Sequence, residues 1–489
     1  MTGVNNLKGT FMLPDNKTKL VCTIGPASES MEVLRGLLNA GMNIARLNFS
    51  HGEFSWHKTI IDRLREAARE EGRSVTIMAD LPGPKIRVGQ IAEEPVTLEN
   101  KGEIILTTDE IVGDAGRVSV SLPTLPQAVK PGDRMFLNDG NIHLEVVRVE
   151  NNEVTCKILV GGELRSRKGL NLPGIDLGIS AFTDHDHACM KFALESGVDA
   201  ISQSFVANAA DLQIVREAAK ALGYHPFIIA KIERSQALQH VDEILAATDG
   251  VMIARGDLGV EIPLQTIAVV QKQLTSQANL LGKPVITATQ MLESMVTRSR
   301  PTRAEVTDVA NAILDGTDCV MLSEESAMGN YPVRAAAMLA SIASSTEPHR
   351  EWSIPLESEA AREHKEGDIN LADFISHNVQ QTVKYLNPVA VIVPTASGYT
   401  ARMISRFKPP VWIAAVSTKL EVCRGLEFSY GVRPINESVK HPDWDDFSRR
   451  WAAEQGLPEG LVILLQGPSA EHPEVNPSLE VITMVTAQE

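Results

Sequence analysis

The chain is short of several features that would mark a specialised class of protein. Its five cysteines are scattered and form no CxxC pair, which argues against a disulfide framework and against a structural zinc site. The longest apolar runs, near 389–393 and 461–465, are far shorter than the ~20 residues of a membrane-spanning helix. No signal peptide is recognisable at the N-terminus. These absences predict a soluble protein of a reducing cytoplasm.

Basic residues are also in deficit, since 46 Lys and Arg face 62 Asp and Glu, for a net charge of −16. Such a chain gains little from the phosphate electrostatics that drive general nucleic-acid binding, so this class of partner is disfavoured. An anionic substrate would need a local cluster of basic side chains. Ordinary apolar (43%) and charged (22%) fractions indicate a globular protein. At roughly 150 residues per domain, the 489 residues suggest about three domains.

Short apolar runs alternate with amphipathic stretches along much of the chain. The predicted strands are 19–24, 43–49, 74–80, 199–205, 226–232, 250–254, 284–289 and 319–322. The predicted helices are 31–39, 56–71, 185–196, 209–222, 235–247, 264–281, 303–314 and 333–345. Eight strands, each followed by a helix, are typical of a (β/α)₈ barrel. An open, doubly wound sheet is the alternative, because periodicity alone does not close a sheet.

The alternation is interrupted once and resumes in a separate segment. Between 88 and 177 the chain carries short β-prone runs separated by Gly and Pro turn signals, which predicts an inserted β domain. The acidic stretch 357–368 is interpreted as a linker, and a further αβ alternation follows it. The predicted domains are therefore a barrel over 14–87 and 178–350, an inserted β lid over 88–177, and a C-terminal αβ regulatory domain over 351–489.

Polar residues close most of the predicted barrel strands, where the functional residues of a barrel are expected. They are Arg46, Asn48, Ser50, Asp80, Lys231, Glu233, Asp257 and Thr289. Two carboxylates from adjacent strands, Glu233 and Asp257, suit Mg²⁺. Arg46, Arg87 and Lys231 would concentrate positive charge beside them. Carboxylate-held Mg²⁺ next to such cations is the arrangement that stabilises a transferring phosphoryl group.

Seven short motifs, in this order and spacing, resemble the pyruvate kinase family over almost the whole chain. They lie at Cys22–Ser28, Arg46–Gly52, Lys168–Gly174, Lys231–Glu233, Ala254–Ile262, Ala288–Ser294 and Pro301–Glu305. The resemblance implies a barrel, a lid inserted after the third strand, and a C-terminal αβ domain. It also implies transfer of phosphate from phosphoenolpyruvate to ADP, the last step of glycolysis, giving ATP and pyruvate.

The same resemblance implies roles for individual residues. Arg46 would bind the substrate phosphate, Lys231 would stabilise the phosphoryl group in flight, and Thr289 would assist protonation of the enolate. Glu233 and Asp257 would hold Mg²⁺ or Mn²⁺. The remaining implied contacts are to substrate, from the backbone of Ala254 and Gly256, and to the nucleotide or transferred phosphate, from Asn48, His51, Arg87 and Lys168.

The chain departs from the family pattern where many relatives bind an activating K⁺. Those relatives use the equivalents of Asn48, Ser50 and Asp80, a threonine and a glutamate. Here the threonine position holds Leu81 and the glutamate position holds Lys85. Because an ammonium could supply the charge of the cation, we expect that K⁺ is not required.

A second departure and a loop in the C-terminal domain concern nucleotide contact and regulation. Glu324 replaces a glycine of the family and adds charge on the nucleotide side. The loop Thr395–Thr400 stands before a predicted helix and resembles an effector site for a sugar phosphate, formed by Thr395, Ser397, Gly398 and Thr400. A plain turn with a helix cap is the alternative. The family resemblance also implies a homotetramer.

Two rival functions compete with the kinase. A non-catalytic metabolite sensor would have a decayed site, against which the intact Lys231, Glu233, Asp257 and Thr289 argue. A barrel lyase acting on enolates through Mg²⁺ would need neither the inserted lid nor Lys168.

Overall fold

In the computed structural model, which describes residues 13–175, 177–350, 371–437, 443–467 and 478–484, eight parallel strands close into a barrel. The strands are Lys19–Thr23, Met42–Asn48, Thr76–Asp80, Ala200–Gln203, Phe227–Ile232, Gly250–Ala254, Val285–Ala288 and Cys319–Leu322. Each pairs with its neighbours in the chain, and the last pairs with the first. The barrel is therefore confirmed, and the open sheet is excluded. The strands read as continuous apolar runs because a parallel sheet is buried on both faces.

Helices surround the barrel close to the positions that the periodicity predicts. They are Met31–Asn39, Phe54–Glu70, Asp184–Glu195, Ala209–Ala221, Val241–Ala247, Ile267–Leu280, Arg303–Leu314 and Pro332–Thr346. Two predicted helices begin with a separate 3₁₀ turn, at Ser235–Gln239 and Leu264–Thr266; others lie at Glu293–Val296 and Glu347–His349. Two short helices that were not predicted, Arg255–Glu261 and Glu324–Ala327, follow barrel strands directly. None of the helices in the described ranges is both long and apolar enough to cross a lipid bilayer.

The segment between the third and fourth barrel strands folds as a separate β domain. Its six-stranded sheet has the order Leu170–Asn171, Arg134–Leu137, Ile142–Glu150, Glu153–Val160, Glu103–Thr107 and Arg117–Ser119. A second pair joins Gly162–Leu164 to Val96–Leu98, and one four-residue helix spans Leu125–Ala128. Side chains such as Leu106, Met135 and Leu144 form a buried core of its own.

The C-terminal domain has a five-stranded sheet. Its strand order is Val432–Asn436, Trp412–Ser417, Ala390–Pro394, Gly460–Gln466 and Ser478–Met484, and only the last pairing is antiparallel. The helices are Leu371–Leu386, Tyr399–Ser405, Leu420–Leu426 and Trp444–Glu454. The strand at 432–436 and the helices at 420–426 and 444–454 were not predicted. The stretch 357–368, interpreted as a linker, lies outside the described residues.

The C-terminal domain covers the end of the barrel where the strands begin. Phe428 packs into the barrel core at that end and stacks on Phe227, with the ring centroids 5.1 Å apart. Beside it, a buried ion pair joins Lys408 to Asp318 at 2.6 Å. The opposite end, where the strands finish, faces the lid and holds the polar residues of the predicted site.

Candidate active site

The second and third barrel strands bring an arginine and an aspartate together. The strands pair in register, so that Asn48 lies opposite Asp80 at their carboxyl ends. The Nε and NH2 groups of Arg46 donate to Oδ2 of Asp80 at 2.9 and 2.5 Å, and its NH1 group donates to Oγ1 of Thr23 at 2.9 Å. The guanidinium is therefore held in a fixed orientation by two neighbouring strands.

Lys231 stands at the centre of the cluster. Its Nζ donates to Oγ of Ser204 at 2.6 Å and lies 3.3 Å from a carboxylate oxygen of Asp80 and 3.3 Å from one of Glu233. Burial alone would lower the pKa of this ammonium, but the two carboxylates outweigh burial and raise its pKa above the ordinary value. Lys231 thus stays charged in a site where an unpaired charge would be costly.

The pKa values of the Asp80 and Glu233 carboxylates shift in opposite directions in this environment. Burial raises the pKa of Asp80, but Lys231 and Arg46 oppose it and hold the net pKa below its usual value. Burial raises the pKa of Glu233 to about 7, with Lys231 opposing the shift and the nearby Asp257 adding to it. The backbone N–H of Phe205 donates to Glu233 at 2.6 Å. A bound cation would reduce the electrostatic repulsion between the carboxylates of Glu233 and Asp257.

Glu233 and Asp257 line a cleft between the barrel end and the lid. Phe205 and Arg234 of the barrel and Leu170 of the lid share this cleft. Over the described ranges, no cluster of three or more His, Cys, Asp or Glu side chains is assembled for a metal ion. Two hard oxygen donors still fit Mg²⁺, which is commonly held by one or two carboxylates together with substrate oxygens.

Thr289 follows the seventh barrel strand and faces the helix Arg255–Glu261. The backbone N–H of Gly256 donates to its Oγ1 at 2.8 Å, and the hydroxyl donates to the Ala288 carbonyl at 2.6 Å. Ala254 ends its strand at the same edge, and Asp257 lies in the first turn of the helix. The substrate-binding residues expected from the sequence therefore lie at one edge of the barrel.

The residues expected to contact the nucleotide gather on the side where the chain crosses into the lid. Burial lowers the pKa of His51, and the positive charges of Lys85, Arg87 and Arg46 add to the effect. Lys85 is exposed. Asn48 accepts the backbone N–H of Ser50 at 3.1 Å through Oδ1.

The lid contributes to the same side through its backbone. Arg87 donates to the lid carbonyl of Arg167 at 2.9 Å, and the carbonyl of Lys168 accepts the N–H of Val88 at 2.9 Å. Lys168 therefore stands where barrel and lid meet.

The short helix Glu324–Ala327 follows the eighth barrel strand. Glu325 is buried and accepts the backbone N–H groups of Leu292 and Ser323, whereas Glu324 is exposed.

The loop Thr395–Thr400, which the sequence predicts to be an effector site, belongs to the C-terminal domain and does not line the cleft. In it Thr395 accepts the N–H of Gly398 at 2.9 Å, and Arg402 donates to the Ser397 carbonyl at 3.3 Å. Thr400 lies in the helix Tyr399–Ser405.

Sequence reasoning missed three groups that shape the site. Ser204 accepts from Lys231, Thr23 accepts from Arg46, and the Phe205 N–H supports Glu233. Ser204 was within reach of the strand-end rule, because it follows the fourth barrel strand. The contact of Phe205 depends on a left-handed backbone (φ 60°), which no residue type there signals.

Buried cations and carboxylates gathered at the carboxyl end of a closed parallel barrel are typical of the active site of a barrel enzyme. Within that class, two sequence-family models match the chain: "Pyruvate kinase, barrel domain" over residues 15–336 and "Pyruvate kinase, alpha/beta domain" over 373–481. The chain belongs to the pyruvate kinase family and is a phosphotransferase.

Individual relatives agree with this assignment. The chain is 47% identical to a pyruvate kinase of Thermococcus litoralis over 434 residues, which cover 86% of this chain and 89% of the relative. It is 42% identical to that of Geobacillus stearothermophilus over 449 residues, 91% of this chain and 76% of the relative. A crystal structure of a pyruvate kinase from Cryptosporidium parvum superposes with a TM-score of 0.89 at 34% identity, covering 99% of this chain and 100% of that one.

Proposed function

We propose that the chain transfers the phosphoryl group of phosphoenolpyruvate to ADP, giving ATP and pyruvate. The observation that carries the proposal is the position of Lys231, held charged between Asp80 and Glu233. A fixed ammonium in a cleft sheltered from water stabilises charge on a phosphoryl group far better than a solvated one does. The cleft also opens toward the lid residues that would enclose a nucleotide.

In this mechanism Arg46 binds the phosphate of the substrate and orients it toward Lys231. Lys231 donates to the phosphoryl oxygens while the bond to the enolate oxygen breaks and the bond to the ADP oxygen forms. Glu233 and Asp257 would hold Mg²⁺, which when bound neutralises substrate charge. The backbone of Ala254 and Gly256 lines the substrate.

The enolate left behind takes up a proton at its methylene carbon and becomes pyruvate. We assign assistance of this step to Thr289, acting through a water molecule, because its hydroxyl is oriented at the same barrel edge. Arg87 and Lys168, with Asn48 and His51 near them, would contact the nucleotide. Closure of the lid would exclude water and so direct the phosphate to ADP.

A coupled assay of pyruvate formation tests the proposal. The chain should form pyruvate only when phosphoenolpyruvate, ADP and Mg²⁺ are all present, and Lys231→Met should lower the rate by about 10³-fold. Lys272→Met, which removes an exposed lysine from an ion pair outside the site, is the matched control. Binding without turnover would indicate a metabolite sensor, and consumption of phosphoenolpyruvate without ADP would indicate a lyase.

We further propose that Lys85 replaces the activating K⁺, so that turnover does not require that ion. The influence of Lys85 on His51 supports this, because it places the ammonium beside the nucleotide residues. Rates measured in tetramethylammonium buffers should match those in K⁺, and Lys85→Glu should create a K⁺ requirement. A steep K⁺ requirement of the wild-type chain would refute the idea.

Regulation and assembly are proposed from the C-terminal domain and the family. We propose that the loop 395–400 binds a phosphorylated sugar or nucleotide, because backbone N–H groups and hydroxyls meet there at the start of a helix. The double variant Thr395→Ala, Ser397→Ala should lose activation by such an effector while basal turnover persists.

We also propose a cytoplasmic homotetramer and the domain limits 14–87, 88–177, 178–350 and 351–489. Exposed Glu324 would tune nucleotide binding.

A further inference from the structure

The segment that carries Thr289 has an unusual backbone. Thr289 (φ 68°) and the next residue, Gln290 (φ 53°), both lie in the left-handed region. This conformation is disfavoured for a β-branched residue, so it persists only where surrounding contacts impose it. Contacts from other segments must therefore stabilise the backbone of Thr289 and Gln290.

Arg255 is the side chain that holds them. Its Nε donates to the Ala288 carbonyl at 3.2 Å, and NH2 donates to the Thr289 carbonyl at 2.8 Å and approaches the sulfur of Met291 at 2.8 Å. The fork of the guanidinium thus spans the carbonyls on both sides of the Thr289 peptide. Arg255 is only 12% exposed, so these bonds are largely shielded from water.

The remaining nitrogen of the Arg255 guanidinium, NH1, is held by two side chains of the barrel helices. NH1 donates to a carboxylate oxygen of Asp308 at 2.8 Å and to Oε1 of Gln271 at 3.3 Å. These two acceptors lie on separate barrel helices, Arg303–Leu314 and Ile267–Leu280. The planar fork therefore cannot rotate without losing partners on both sides, a rigidity that a lysine could not supply.

The neighbouring peptide completes the clamp. The N–H of Gly256, the residue after Arg255, donates to Oγ1 of Thr289, which in turn donates to the Ala288 carbonyl that Arg255 also binds. A Cβ at Gly256 would lie 3.4 Å from that oxygen, which shows how close the two segments are. The direction of the Thr289 hydroxyl is thus determined by residues 255 and 256 together.

We propose that Arg255 is a positioning residue for proton transfer, acting through Thr289. The inference rests on the proposed function, in which the methylene carbon of the enolate gains a proton from water and the enolate oxygen becomes the ketone oxygen of pyruvate. Arg255 does not touch the phosphoryl group in this arrangement. Its loss should therefore impair the proton step more than phosphoryl transfer.

The test compares two reactions of the same variants. Phosphoryl transfer is followed as the ATP formed from phosphoenolpyruvate and ADP in a single turnover with enzyme in excess, because steady-state turnover also includes the proton step. Proton transfer is followed by NMR as the exchange of pyruvate methyl hydrogens for deuterium in D₂O with Mg²⁺ and ATP. Arg255→Gln should lower the exchange rate at least about tenfold more than it lowers the single-turnover rate of ATP formation. Arg255→Lys should not restore exchange, because it lacks the fork.

Two further variants make the result decisive. Asp308→Asn weakens the clamp from its half-exposed end and should reduce exchange preferentially but less, so it serves if Arg255→Gln does not fold. Arg216→Gln, which removes an arginine that likewise binds a backbone carbonyl and an aspartate, should change neither rate. Equal losses in both reactions, or a rise in KM alone, would overturn the proposal. A wild-type chain that exchanges pyruvate hydrogens without forming ATP would refute the kinase function and leave the exchange test of Arg255 intact.

Discussion

At Lys231, burial and electrostatic attraction act in opposite directions. The side chain is 11% exposed, yet two carboxylates and a hydroxyl surround its ammonium. Carboxylates hold Lys231 and Arg46 in place in a chain with a net charge of −16. The Mg²⁺ proposed at Glu233 and Asp257 would offset these carboxylates when an anionic substrate binds. Removal of any member of this group would leave another buried charge without its partner.

The raised pKa of Glu233 predicts that the affinity for Mg²⁺ depends on pH. Its pKa lies at about 7, above the 4.5 of an ordinary glutamate, so the folded protein keeps this proton until the pH rises through neutrality. Its contribution to stability is therefore full below pH 4.5 and is lost as the pH rises through about 7. Because the proposed Mg²⁺ site requires the carboxylate form of Glu233, the affinity for Mg²⁺ should be about tenfold weaker at pH 6 than at pH 8.

Calorimetric titration with Mg²⁺ at the two pH values checks this expectation. Glu233→Gln should bind weakly at both. Glu261→Gln is the control, since Glu261 lines the same cleft and is hydrogen-bonded to Ser235, and this variant should retain the pH dependence. An affinity of the wild-type chain that is equal at pH 6 and pH 8 would contradict the account.

Charged residues of the site could be predicted from the sequence better than their neutral partners. The cations and carboxylates at strand ends stand out because apolar strands seldom finish in charge. Ser204 and Thr23 are marked only by their positions at strand ends, where a hydroxyl is commonplace. The left-handed backbone of Thr289 and the clamp of Arg255 depend on contacts between segments, which a sequence does not display.

At the scale of elements, the barrel strands were predicted to within a few residues because each is a short apolar run. The helix Arg255–Glu261 was missed since its sequence contains two glycines and no apolar period. The C-terminal strand Val432–Asn436 was missed as well. It lies at the edge of its sheet and contains Arg433 and Pro434, which interrupt the apolar pattern that marks a central strand.

The motif Pro301–Glu305 has a structural function that can be measured. Thr302 caps the helix Arg303–Leu314: its Oγ1 accepts the N–H of Glu305 and donates to the Glu305 carboxylate, which also binds Ser294. Thr302→Ala should reduce the protection of the first helical turn against amide hydrogen exchange by about 1 kcal/mol. Thr302→Ser should retain it, and unchanged protection in the alanine variant would show that the cap contributes nothing.

At the level of the whole molecule, a buried ion pair and apolar packing both hold the C-terminal domain against the barrel. Asp318 stands at the start of the eighth barrel strand and accepts from Lys408, from the Tyr430 N–H at 2.9 Å and from the Val285 N–H at 3.0 Å. The ion pair is almost inaccessible to water. Phe428 fills the barrel end beside it.

Lys408→Met should therefore destabilise the protein strongly, by about 3–5 kcal/mol, because it leaves Asp318 charged and buried. The thermal unfolding midpoint measures the effect. The double variant Asp318→Asn, Lys408→Met should recover part of the loss, since no charge is then stranded. The control Lys58→Met removes a lysine from an ion pair whose two side chains are both exposed, and it should cost less than about 1 kcal/mol. A midpoint for Lys408→Met equal to that of the control would contradict this interpretation.

The domain organisation followed from the sequence because the interruption between 88 and 177 changes the periodicity from helical to β. The contact between the C-terminal domain and the barrel could not be predicted, as it joins residues some hundred positions apart. Asp318 and Lys408 are an example. The residues next to Asp318 and Lys408 in the sequence do not indicate that either side chain has a buried partner.

The proposed transfer of a phosphoryl group from the enol oxygen to ADP can be followed by ³¹P NMR. With the wild-type chain and Mg²⁺, the signal of phosphoenolpyruvate should be replaced by that of the γ-phosphate of ATP, and Lys231→Met should slow this conversion by about 10³-fold. Appearance of inorganic phosphate in place of ATP, or equal rates in wild type and Lys231→Met, would contradict the account.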